Sequence, residues 1–132
     1  MSKKNKVKHL KISLDFIHSD ILFFMDKKNH NKYVDKHKMG KEWHINTGGL
    51  TTDLWCENTG HSVLIGIVDN NYDVYQIKGL IVHEISHTVD FICARHGIKD
   101  GETRAYLTQY LYVQIIQYYD KQVEKRIAKE KK

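Results

Sequence analysis

His83-Glu84-Ile85-Ser86-His87 is the stretch from which the rest of the chain can be read. Two histidines four residues apart on a helix lie about 40° apart around its axis, so they share one face and can hold one metal ion. Neutral imidazole suits Zn²⁺, and a catalytic zinc takes three protein ligands plus a water. Glu84 falls beside that water rather than on the metal, where it can act as general base.

The residues around the motif predict its helix. Asp73 followed by Gln76 is a capping-box pattern with Asp in place of Ser or Thr. Gly97 is a C-terminal stop. Together they predict a helix over Val74–His96. Ile81, Val82, Ile85, Val89 and Ile92 gather on the side away from the histidines, and that stripe is expected to pack on a sheet. The metal face carries Gln76, His83, His87, Asp90 and Ala94, flanked by Leu80 and Phe91. Asp90, one turn past His87, is placed to orient an imidazole from behind.

Upstream of that helix the period changes from helical to alternating. Ile12, Leu14 and Phe16 alternate with Lys11, Ser13 and Asp15, which predicts a strand with one buried face. Ile21-Leu22-Phe23-Phe24-Met25 is a continuous apolar run, suited to a strand buried on both faces. His18-Ser19-Asp20 between them reads as a turn or a bulge. Residues 26–39 are polar, a surface helix or a long loop, with His30 and His37 expected in solvent. Trp43 is expected to anchor the connection over residues 40–49 to the core. Residues 50–57 and 61–68, around the turn chemistry of Glu57-Asn58-Thr59-Gly60, predict a β-hairpin that Asp69-Asn70-Asn71 ends.

Downstream, Asp100 can cap a second helix from about Gly101 into residues 121–129. Glu102 then lies in the first turn of a helix that folds back on the first, where the positive helix end favours an ionised carboxylate. It is the best third zinc ligand, with His96 and Asp100 as rivals. Ala105, one turn on, would let the helices approach closely, and Tyr106 follows at i+4.

His83-Glu84-x-x-His87 followed by Glu102-x-x-Ala105-Tyr106 resembles the gluzincin zinc peptidases. More narrowly it resembles small bacteriophage-encoded metallopeptidases, which have a few strands, an HExxH helix, and then a helix opening on an acid and an Ala-Tyr pair. The likeness covers mainly residues 79–111. The metzincin pattern does not fit, since Asp90 and Cys93 stand where its glycine and third histidine belong. The resemblance implies an α+β, minimal zincin-like fold: a small mixed sheet packed on the HExxH helix and a C-terminal helix. It implies one Zn²⁺ on His83, His87 and Glu102, peptide hydrolysis with Glu84 as general base, and a peptide or protein substrate. Tyr106, Tyr110 and His61 are the candidate oxyanion donors, with Tyr106 the expected catalytic one. The strand over residues 61–68 is expected to be the sheet edge beside the cleft, taking an extended peptide by strand addition.

Composition bounds the rest. A chain of 132 residues fits a single domain. Hydrophobic residues at 41% and charged residues at 28% are ordinary for a soluble globular protein. The net charge of +5 is concentrated at the ends, with four lysines in residues 2–8 and six Lys or Arg in residues 121–132. These read as solvated tails over residues 1–8 and about 122–132; nucleic-acid binding through them is the sharper, less favoured reading. No secretory signal and no apolar run of membrane-spanning length occur, so a cytoplasmic location is expected, that of the host for a phage protein. Cys56 and Cys93 form no CxxC pattern, which suits a reduced compartment and leaves one disulfide open. Two rival functions keep the motif: a zinc-containing binding protein that captures a host protein, and a nucleic-acid-associated zinc protease.

Overall fold

The computed structural model of the chain describes residues 7–43, 47–57, 59–68 and 73–130. In order come strands β1 (Leu10–Leu14) and β2 (Ser19–Phe24), helix α1 (Lys27–Lys36), strands β3 (Gly49–Cys56) and β4 (Gly60–Ile67), and helices α2 (Val74–His96) and α3 (Gly101–Glu130). The class is α+β, with a mixed sheet of order β1-β2-β4-β3. β1 and β2 are antiparallel, as are β3 and β4, and the two pairs join along a parallel β2–β4 seam.

The seam explains why the apolar runs in β2 and β4 are continuous. Ile21 and Phe23 of β2 and Val63, Ile65 and Ile67 of β4 point to one face, where they meet Ile77, Ile81, Ile85, Val89 and Ile92 of α2 and Leu107, Leu111 and Ile115 of α3. Leu22, Phe24 and Leu64 point to the other, under Tyr33 and Val34 of α1. A strand covered on both faces has no polar side to show. Each fully buried aliphatic side chain contributes about 1.5–3 kcal/mol, so this two-sided burial is the main stabilising term.

α2 matches its predicted ends. Asp73 and Gln76 form the reciprocal capping box, and Gly97 takes the left-handed conformation at φ 65°. Ile81, Ile85, Val89 and Ile92 are buried as expected, but Val82 is 48% exposed. The stripe is narrower than predicted because Val82 lies at its border, beside the groove between α2 and α3. Asp100 caps α3, accepting from the Thr103 hydroxyl and from the amides of Glu102 and Thr103. Those bonds, the Thr103 hydroxyl first, hold its carboxyl below the ordinary value. Residues 122–130 continue α3 as helix rather than forming a loose tail, and Gln122 is buried. Residues 1–6 and 131–132, Asn58, and the predicted stop at residues 69–71 lie outside the described residues.

Two other expectations change, and one open alternative closes. β1 stops at Leu14, and a 3-10 turn over Asp15–Ile17 leads through a left-handed His18 into β2, so Ser19 and Asp20 belong to a strand. Residues 27–36 resolve as a helix capped by Asp26, whose carboxylate accepts from the Asn29 amide at 2.7 Å. His30 is fully buried rather than solvated, its ring against Trp43 and Phe24. No disulfide joins Cys56 and Cys93, and no described helix is long and apolar enough to cross a membrane.

Trp43 is the anchor the sequence suggested. Its backbone is tied to Asn31 in both directions, and its ring covers Gly66 of β4. A Cβ on Gly66 would stand 2.5 Å from Trp43 Cζ3. Gly66→Ala is therefore expected to cost about 1–3 kcal/mol, the usual range for overpacking. Chemical denaturation reads this directly, and unchanged stability would show that Trp43 can move aside.

Candidate metal centre and cleft

His83 and His87 lie on the outer face of α2, as the helical spacing requires. Their Nε2 atoms stand 3.2 Å apart, with the rings nearly perpendicular. Two nitrogens on one tetrahedral zinc, each about 2.0–2.1 Å from it, lie about 3.3 Å apart. The pair therefore fits two positions of one ion. The same distance is satisfied by a hydrogen bond between neutral imidazoles.

Glu84 turns toward β3, into a cleft that His83 also lines, and is only 5% exposed. The Thr51 hydroxyl donates to Glu84 Oε1 at 2.8 Å. Oε2 rests against Gly49, where a Cβ would come within 2.9 Å. Only glycine lets the carboxylate lie this close to the strand. Thr47, Gly48, Gln76, Gly79 and Leu80 complete the walls of a cleft of about 450 Å³ with His83 and Glu84. Its three glycines keep it open between the start of β3 and α2.

The strand beside this cleft is β3, not β4. β4 is enclosed between β2 and β3, while β3 is outermost in the sheet. The continuous apolar run from Val63 to Ile67 already carried that signal, because an edge strand is not buried on both faces.

The remaining predicted residues are placed elsewhere. Glu102 is exposed in the first turn of α3, and among the described residues no three His, Cys, Asp or Glu side chains gather closely enough to hold one ion. Asp90 turns to Arg104, its Oδ1 accepting from Nη1 at 2.5 Å, rather than to either histidine. Tyr106 and Tyr110 line a separate groove with Asp15, Phe16 and Leu107. His61 is buried and bonded to Asp53 and Ser19. Of the rival ligands, His96 bonds to Ser19 and Asp100 is the α3 cap. Ala105 does not lie in a tight helix contact but lines the open groove between α2 and α3. Sequence reasoning missed Thr51 and Gly49, whose signal was faint: a glycine and a hydroxyl two residues apart at the start of a strand.

Comparison with family models, with curated proteins and with solved structures finds no match to this chain.

Proposed function

We propose that the chain is a zinc-dependent peptidase. One observation carries this reading: the two exposed Nε2 atoms, 3.2 Å apart, are on the same helix as a buried carboxylate aimed at a cleft along an outer strand. His83 and His87 would hold the ion, and Glu102 is the proposed third ligand. When bound, zinc supplies Lewis acidity toward a carbonyl and brings the pKa of water toward neutrality. The protein's own groups do the rest. The Thr51 hydroxyl occupies Oε1 of Glu84, which leaves Oε2 to take a proton from water and return it to the leaving amine. β3, the edge strand beside the cleft, offers backbone donors and acceptors to an extended peptide, which would place its scissile bond along the cleft.

The test begins with metal content. Purified wild type is expected to carry one zinc per chain by elemental analysis, and His87→Ala is expected to lose it. A folded wild type that takes up no zinc from chelator-free buffer refutes the site. Glu102→Ala addresses the third ligand separately, since it should lower zinc occupancy without changing the fold. Zinc retained at full occupancy in that variant removes Glu102 from the ligand set.

A second reading is favoured by the exposed position of Glu102. With two gathered donors instead of three, the protein would be a metal-containing binding protein without hydrolysis. Glu84 argues against it, because a non-catalytic site gains nothing from burying a carboxylate beside the cleft.

A further inference from the structure

At another place on the sheet, side chains from three strands and α2 form one unbroken chain of hydrogen bonds. Asp53 Oδ1 of β3 lies 2.5 Å from His61 Nε2 of β4. His61 Nδ1 lies 2.6 Å from Ser19 Oγ of β2. Ser19 Oγ in turn lies 2.8 Å from His96 Nε2 at the last turn of α2. Ser19 and His61 are buried, with residual exposures of 1% and 2%. His96 is half-buried and is the link nearest the helix end. We propose that this chain is a pH-sensitive clamp, admitting one proton and refusing a second, that fastens the C-terminal end of α2 to the sheet and loosens it in acid.

The hydrogens can be placed by valence. A carboxylate only accepts, so His61 Nε2 carries a proton toward Asp53. If His61 is neutral, its Nδ1 accepts from the Ser19 hydroxyl, and Ser19 accepts from His96 Nε2–H. If His61 is charged, the run reverses: Nδ1–H donates to Ser19, whose hydroxyl donates to a neutral His96. Both arrangements satisfy every link, and Asp53 balances the charge in the second. With both rings charged, two N–H groups point at Ser19 Oγ and the serine hydrogen has no acceptor within the chain. A buried hydroxyl left in that state costs free energy.

Charge opposes the second proton as well. The His61 and His96 ring centroids are 5.9 Å apart. His96 is faced by Ser19 from β2, by His61 from β4 with Asp53 of β3 behind it, by His18 from the turn before β2, and by Arg95 on its own helix. Burial, then the positive charges of His61, Arg95 and His18, hold its pKa below the ordinary histidine value of 6.5. A histidine depressed in the folded state binds fewer protons than in the unfolded chain. Its contribution to stability is therefore complete above 6.5 and is lost as the pH falls from there through the folded value.

The test compares wild type with His96→Gln, whose amide can still donate to Ser19 but cannot titrate. Urea unfolding of both is followed from pH 9 to pH 5 at fixed ionic strength. The two folding constants are expected to run parallel above pH 7.5. Below it, wild type should fall behind by at least about threefold by pH 5. Parallel curves over the whole range overturn the clamp. Should His96→Gln fail to fold, a proton NMR titration of wild type decides. A His96 ring that titrates below the free histidine value supports the clamp, and one at or above it overturns it.

Discussion

Glu84→Gln is expected to leave the fold and the zinc content intact and to lower peptide hydrolysis by about 10²-fold or more, the usual size of a general acid–base contribution. The geometry makes this substitution unusually clean. The Gln carbonyl oxygen can take the place of Oε1 and still accept from Thr51, whose hydroxyl donates there at 2.8 Å. The NH₂ group then lies where Oε2 meets Gly49, in a space the carboxylate already fills. What is lost is the capacity to accept a proton. Glu84 is not a proposed zinc ligand, so metal content should not move. Wild type and variant are incubated with a broad peptide library and with a cell lysate, and products are read by mass spectrometry. Cleavage that survives undiminished in zinc-loaded Glu84→Gln defeats the mechanism. Should zinc-loaded wild type cut nothing while wild type and Glu84→Gln capture the same protein, the binding reading gains instead.

The second large effect concerns the face of α2. Ile81→Asp and Ile85→Asp should each destabilise the protein by more than about 3 kcal/mol, because each leaves an uncompensated charge in the core. Ile81 is 0% exposed and Ile85 1% exposed. Of the two, Ile81→Asp should be worse. Ile85 borders the groove that Arg104 also lines, which gives a carboxylate there a partial outlet. Val82→Asp is the control. At 48% exposure it should change stability by no more than about 0.5 kcal/mol. Urea or thermal unfolding of the three variants reads the ranking, and equal effects at 81 and 82 would refute the packing face.

Local signals were legible in the sequence and long-range ones were not. Asp73, Gln76 and Gly97 set the ends of α2 by bonds within a few residues, so a linear reading finds them. The β3–β4 hairpin and the apolar run of β2 were found for the same reason. Which strand lies outermost depends on β2 pairing with β4, and no local pattern encodes that pairing. His30 sits in a polar stretch and is buried because Phe24 and Trp43, the latter thirteen residues on, pack against its ring. The spacing of Asp90 from His87 suggests a histidine partner, yet Arg104 reaches it from another helix. Glu102 shows how an available signal can be passed over. The buried stripe of α3 runs through Leu107, Leu111, Ile115 and Tyr119. Extended one turn toward the N-terminus, that stripe falls on residues 103 and 104, so Glu102 lies off the packed face. The helix's own hydrophobic phase sets where that acid points.

The parallel seam also bears on how the chain reaches this state. Ser19 and His61, partners across it, are 42 residues apart in sequence. β1 with β2, and β3 with β4, are hairpin-like units with short connections, and such units form in about 1–10 μs. Joining them requires closing the long intervening segment first, so the entropy of that closure is lost before β2 and β4 gain their contacts. Docking of the two units is then the slow step. Truncations at Val63 or Ile21 should slow refolding, whereas truncations near the end of α3 should chiefly speed unfolding. The chain has no proline, so its refolding should lack the phase of about 10–100 s that prolyl isomerisation imposes on other proteins.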